Sequence, residues 1–159
     1  MAKAREVPGI RADALFREAA ANAVAVRAEE VFEHSEGVLD MDDIERVHDM
    51  RVATRRLRAA MEIFAPCFPK AELGRELKEV KALADALGER RDPDVAIEEL
   101  RQIAEALPAA DRPGVESLIE ELRDEQRSAN VALRTKLSEI EERGFQERLT
   151  ALAEEARTA

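Results

Sequence analysis

Apolar residues recur every three or four positions between residues 44 and 66, the spacing that gives a helix one continuous apolar face. On a helical wheel one arc holds Val47, Met50, Thr54, Leu57, Met61 and Phe64. The rest of the 159-residue chain is equally suited to helices, because it contains only six Gly, six Pro and no Tyr or Trp. The sequence therefore predicts an all-α protein.

Short interruptions divide this pattern into segments. They predict helices over residues 13–35, 44–66, 70–87, 93–107, 115–143 and 145–157. In this scheme Asp13 and Asp92 are N-caps, Gly88 closes the third helix and Pro93 lies in the first turn of the fourth. Short connections favour antiparallel neighbours. We expect a single antiparallel bundle of five to six helices over residues 13–157, after an N-terminal extension of residues 1–12.

Several classes of protein are disfavoured by composition. No run approaches the roughly 20 apolar residues that span a bilayer, and residues 1–10 contain no apolar signal core. A single cysteine, Cys67, excludes an internal disulfide, and with two histidines it is too few for a zinc site of Cys and His ligands. We predict a cytoplasmic protein with no membrane span, no metal and no cofactor.

Charge is distributed unevenly along the chain. The net charge is −10, yet residues 46–58 carry five arginines against one aspartate, a local charge of +4. An acidic protein with one positive island is expected to have an anion-binding site there, whereas a nucleic-acid coat would require a basic surface overall.

The positive residues of the second helix form a stripe beside its apolar arc. An arc of about 80° holds His48, Arg51, Arg55 and Arg58, whereas Arg56 falls away from it and is expected to be solvated. Arginines one turn apart repel each other. A polyanion would relieve that repulsion, and guanidinium groups present donor forks that match phosphate oxygens.

The third helix adds Lys78 and Lys81 beside its own apolar face, and Arg90 and Arg91 follow in the predicted loop. If the second and third helices are antiparallel, these basic flanks line one groove with the two arginines at its end. The alternative is an ordinary solvated face whose arginines pair with carboxylates of neighbouring helices.

Two segments resemble a known family, the CHAD (conserved histidine α-helical) domain. The first is VHDMRVATRRLRAAMEIFAPCFP, residues 47–69, in which a histidine is followed by arginines three, seven, eight and ten positions later. The second is LADALGERRDPDVAIEEL, residues 83–100, which resembles the family's G-x-x-R-D element.

The resemblance implies a helical fold whose basic surface binds inorganic polyphosphate, often in proteins associated with polyphosphate granules. By position, the first motif corresponds to His48, Arg51, Arg55, Arg56 and Arg58. Arg91 and Asp92 correspond to the R-D element. Family members usually contain two similar helical halves, whereas this chain resembles the first half only. Such a chain either pairs with another copy or is a reduced form that binds more weakly, and we expect a homodimer that brings two basic stripes together.

The leading hypothesis is a non-catalytic polyphosphate-binding module. Its alternative is a helical protein-interaction module whose basic stripe docks an acidic partner. A phosphate-processing enzyme is disfavoured, because the sequence has no P-loop, no nucleophile–base pair and no E-x-E-x-K motif of the triphosphate-processing CYTH domain that often accompanies the family. Nucleic acid is also disfavoured, because Tyr and Trp stacking platforms are missing.

Overall fold

The computed structural model describes residues 2–158, which form five α-helices and no strand. The elements are α1 (Phe16–Glu33), α2 (Ile44–Ile63), a 3-10 turn (Ala65–Cys67), α3 (Lys70–Ala106), a second 3-10 turn (Ala109–Asp111), α4 (Arg112–Glu142) and α5 (Phe145–Thr158). The prediction of an all-α helical bundle is confirmed.

α1 to α4 are antiparallel in succession, whereas α5 runs in the same direction as α4 and closes the bundle against α1. The Phe32 ring at the end of α1 lies 6.0 Å from the Phe145 ring at the start of α5. Arg157 Nη2, in the last turn of α5, donates to Oδ1 of Asn22, in the second turn of α1, at 2.7 Å. α2 then packs on α1 and α3, so α2 has one flank at the junction with α3.

All five helices contribute to a single core cluster. It includes Val24, Leu57, Leu83, Leu133 and Leu149, each with no exposed surface. The apolar arc predicted for α2 is confirmed. Phe64 is half-buried, and the other members of the arc are buried: Val47, Met50, Thr54, Leu57 and Met61. Burial of this surface supplies the main driving force for the bundle.

The predicted break between a third and a fourth helix is wrong. α3 continues for 37 residues through both Gly88 and Pro93. Gly88 does not have the positive φ of a helix-ending glycine, and Asp92 is exposed in mid-helix, where it caps nothing. Pro93 removes one helical hydrogen bond. It is buried against α4, and burial of this part of α3 holds the helix together across the proline.

α3 and α4 extend together beyond the bundle as an antiparallel hairpin. After Ile97 no residue of α3 is buried, and before Ile119 no residue of α4 is buried. The hairpin ends at the 3-10 turn Ala109–Asp111, and Ile103 and Leu118 are about half exposed on its sides.

α1 begins later than predicted. Its first residue is Phe16, and the preceding Leu15 provides no side-chain cap. Asp13 is not the N-cap, because its carboxylate pairs with Arg11 instead, with Oδ1 3.4 Å from Nε.

The described part of the N-terminal extension, from residue 2, lies on α1 and α2. The Arg5 main-chain N donates to Glu30 Oε1 at 2.5 Å, and Arg27 Nη2 donates to the Arg5 carbonyl at 2.8 Å. Glu30 is 2% exposed, so a buried carboxylate holds this segment in place.

The helices were also compared with the requirements of a membrane span. In residues 2–158 no helix combines the length and the apolar character that a membrane span requires. Burial raises the pKa of the Cys67 thiol, which makes it a poorer nucleophile at neutral pH.

Candidate functional site: a basic stripe at the junction of two helices

α2 carries the predicted stripe on the flank beside its buried face. His48 and Arg51 are half-buried, whereas Arg55 and Arg58 are exposed. The stripe rises about 15 Å along the helix at 1.5 Å per residue. Thr54, on the buried face, donates its hydroxyl to the Met50 carbonyl at 2.8 Å, which allows a polar residue to face the core.

The two central arginines of the stripe have no partner among residues 2–158. Neither Arg51 nor Arg55 makes a hydrogen bond or an ion pair there. Their guanidinium groups are one turn apart, so they repel each other and remain available to an external anion. The alternative interpretation, in which carboxylates of neighbouring helices neutralise the stripe, therefore does not hold at these two positions.

Arg58, at the end of the stripe, is paired with a carboxylate. Its Nε donates to Glu62 Oε1 at 2.9 Å, and Lys81 Nζ of α3 lies 4.0 Å from the same oxygen. Cations of α2 and α3 therefore meet at one point, and the flanks of the two helices form adjoining walls.

The charge on the flank of α3 that faces the junction changes from positive to negative along the helix. Lys78 and Lys81 are exposed, and the exposed Asp85 follows one turn later. Because α2 and α3 are antiparallel, Asp85 lies on the side of Lys81 towards the start of α2. The positive part of this wall is confined to its first turns.

The predicted loop around Arg90 does not exist, and the residue is buried in α3. Its guanidinium has no exposed surface. Nη1 donates to Asp94 Oδ1 at 2.5 Å, and Nε donates to Asn130 Oδ1 of α4 at 3.1 Å. Gln126 donates to the same aspartate oxygen at 2.5 Å. The prediction that Arg90 faces solvent at one end of the groove is therefore wrong.

Sequence reasoning did not find this buried polar cluster of Arg90, Asp94, Gln126 and Asn130. The available signal was two pairs of polar residues at i, i+4 spacing, each on the inner face of its helix. Asn130 Nδ2 also donates to the Leu39 carbonyl at 3.1 Å, which ties α4 to the segment before α2.

Arg91 is half-buried and anchors the start of α2. Nη1 donates to the Ile44 carbonyl at 3.3 Å, and Nη2 lies 3.6 Å from Glu45 Oε1. Arg91 therefore joins α3 to α2 beside His48, at the opposite end of the stripe from Lys81.

Arg46 and Arg56, the other arginines of the positive island, are held away from the stripe. Arg56 Nη2 donates to the Ala2 carbonyl at 3.0 Å, so this half-buried side chain is not simply solvated as predicted. Arg46 donates from Nε to Asp43 at 3.1 Å and from Nη1 to the Glu36 carbonyl at 3.2 Å, which fixes the connection between α1 and α2.

His48 lies beside two carboxylates. Ligand atoms of Glu45, His48 and Asp49 are all within 4.8 Å of one another, a spacing at which three groups could hold a metal ion. Both carboxylates already have partners, however. Asp49 Oδ1 accepts the Ala2 main-chain N–H at 2.6 Å, and Glu45 contacts Arg91.

Comparison with known proteins gives one match. No curated protein and no solved structure matches the chain. The sequence profile of the CHAD domain matches residues 22–159, which include the stripe, the buried cluster and the hairpin. Because the match covers nearly the whole sequence, this chain belongs to the CHAD domain family.

Proposed function

We propose that the protein binds linear inorganic polyphosphate, without catalysing a reaction, along the junction of α2 and α3. The observation that carries the proposal is the pair Arg51 and Arg55, which have no partner in the described part of an otherwise acidic chain. Arg58, Lys78 and Lys81 extend the positive surface, and the half-buried His48 lies at its other end.

The physical basis is polyelectrolyte binding. A polyphosphate chain releases condensed counterions when cationic side chains neutralise its charge, so affinity falls as salt rises. A row of guanidinium groups spaced by about 5–6 Å along a helix suits an extended chain of phosphates. The negative charge elsewhere on the protein directs the chain to this row.

The test is calorimetric titration with long-chain polyphosphate at two salt concentrations. We expect salt-sensitive binding by the wild type and at least a tenfold loss in Arg51→Ala/Arg55→Ala. A matched control, Arg101→Ala/Arg134→Ala, removes two exposed arginines that have no partner in the described part of the chain and lie outside the junction. Equal weakening by both double variants would show diffuse attraction and no defined site.

A second candidate function is docking of an acidic protein partner on the same stripe. It is favoured by one contact, the carboxylate of Glu62 on Arg58, which is an example of a carboxylate paired with an arginine of the stripe. A folded wild type that ignores polyphosphate but binds a polyglutamate peptide, with loss in Arg51→Ala/Arg55→Ala, would select this function.

We further propose that the chain acts as a homodimer in the cytoplasm, at polyphosphate granules. The recognisable basic motif occurs once in the sequence, and a second copy would supply a second stripe. Two stripes on one assembly would strengthen binding of long chains through multivalency.

A further inference from the structure

We propose that Glu62 is an internal competitor for the phosphate ligand, occupying the cations at the end of the stripe until a long chain displaces it. This inference rests on the proposed function. It assigns Glu62 a role in selecting ligand length, which the geometry of the site supports in three steps.

The first step is the position of the carboxylate. Glu62 Oε1 accepts a hydrogen bond from Arg58 Nε at 2.9 Å and lies 4.0 Å from Lys81 Nζ. It is thus the anion shared between the α2 wall and the α3 wall. A phosphate oxygen that bridged these two cations would take the same place.

The second step is that the contact is easily exchanged. The side chains of Arg58 and Glu62 are each 45% exposed, and that of Lys81 is 49% exposed. Ion pairs in such solvated positions contribute little to stability. A multivalent phosphate chain can therefore replace the carboxylate without disturbing the fold, although the displaced negative charge remains close to the chain and opposes it.

The third step is the contrast along the stripe. Arg51 and Arg55, one turn apart, have no carboxylate partner in the described residues. A short phosphate chain can bind at these two arginines without meeting Glu62. A chain that also reaches Arg58 and Lys81 extends about 10 Å along the helix and must displace the carboxylate. Glu62 therefore opposes long chains more than short ones.

The opposite role would be orientation, in which Glu62 holds Arg58 and Lys81 ready for the ligand. The two roles predict opposite signs. Removing the charge of a competitor strengthens binding, whereas removing an orienting partner weakens it.

The experiment compares the wild type with Glu62→Gln, which keeps the shape of the side chain and removes its charge. We expect Glu62→Gln to bind long-chain polyphosphate about threefold to tenfold more tightly. Binding of tripolyphosphate should change less than twofold. Glu116→Gln is the charge-matched control, because Glu116 is exposed on the hairpin and has no partner in the described part of the chain. Its affinities should be close to those of the wild type.

The outcomes separate this inference from the proposed function. Weaker or unchanged long-chain binding by Glu62→Gln, with a wild type that binds, overturns the competitor role and leaves the proposed function intact. An equal gain in Glu116→Gln also overturns it, because the effect would then be one of net charge. If neither the folded wild type nor folded Glu62→Gln binds polyphosphate, the proposed function fails and this inference fails with it.

Discussion

Arg90 illustrates how one side chain can change role when a predicted loop is in fact a helix. It is a charged residue with no exposed surface, held by Asp94 on its own helix and Asn130 on the next. A buried ion pair often adds little net stability, but removing one partner leaves an uncompensated charge in the interior. Arg90 is therefore expected to support the packing of α3 on α4.

We predict that Arg90→Met lowers the free energy of unfolding by about 3 kcal/mol, because the buried Asp94 carboxylate loses its hydrogen-bonded cation and keeps only Arg91, whose Nη1 lies 4.0 Å from Oδ2. Urea denaturation followed by circular dichroism measures the change. Arg101→Met is the matched control on the same helix, where the side chain is exposed, and it should stay within about 0.5 kcal/mol of the wild type. Equal effects of the two substitutions would contradict the buried role of Arg90.

At this scale the sequence predicted the arginines of the stripe better than the buried arginine of α3. The wheel placed Arg51, Arg55 and Arg58 correctly on the flank of α2, because that placement depends only on helical periodicity. The partner of Arg90 on α4 could not be predicted in the same way. Asn130 is 40 residues away along the chain, and the contact between them exists only once α3 and α4 are paired.

Among the elements, α3 departs most from its predicted form. Gly88 and Pro93 are both local signals for a helix end, and together they outweighed the apolar periodicity that continues through Leu87 and Ile97. Tertiary packing overrides both helix-end signals in α3, because Leu87, Arg90 and Pro93 are all buried. By contrast, Gly144 is a true break, because its φ of +63° lies in the left-handed region that favours glycine.

Because Gly88 is helical and Gly144 is not, replacing each by alanine should change the free energy of unfolding in opposite directions. Gly88→Ala should raise the free energy of unfolding by about 0.5–1 kcal/mol, because Gly88 is helical and an added Cβ meets no atom within 4 Å. Gly144→Ala should lower it by about 1 kcal/mol, because alanine is strained at positive φ. Thermal or urea unfolding measures both. Destabilisation by Gly88→Ala would mean that α3 ends there, as the sequence alone predicted.

For the whole molecule, the sequence predicted the fold class and the antiparallel order of α1 to α4, but not the common direction of α4 and α5. The predicted properties follow from composition, periodicity and short connections. The hairpin could not be predicted, because its existence depends on α3 continuing beyond the bundle. The oligomeric state in solution also stays a prediction, because it depends on contacts between separate chains.

We predict that the protein is a dimer in solution. Multi-angle light scattering at micromolar concentration should give about twice the 17.7 kDa mass of the chain. Adding long-chain polyphosphate should favour the dimer if the two stripes bind one chain together. A monomer that keeps tight polyphosphate binding would refute the homodimer and show that one stripe is sufficient.

The two parts of α3 differ in how they are supported, because the first part packs inside the bundle and the last part extends beyond it. Its first part is fixed between α2, α4 and α5, and the residues after Ile97 pack mainly on the opposing helix α4. The hairpin can therefore be lengthened at its tip without altering the packing of the bundle. Extra helical turns near Ala109–Asp111 would leave the bundle and the basic stripe unchanged, and this tip is the place where the chain could be lengthened at low structural cost.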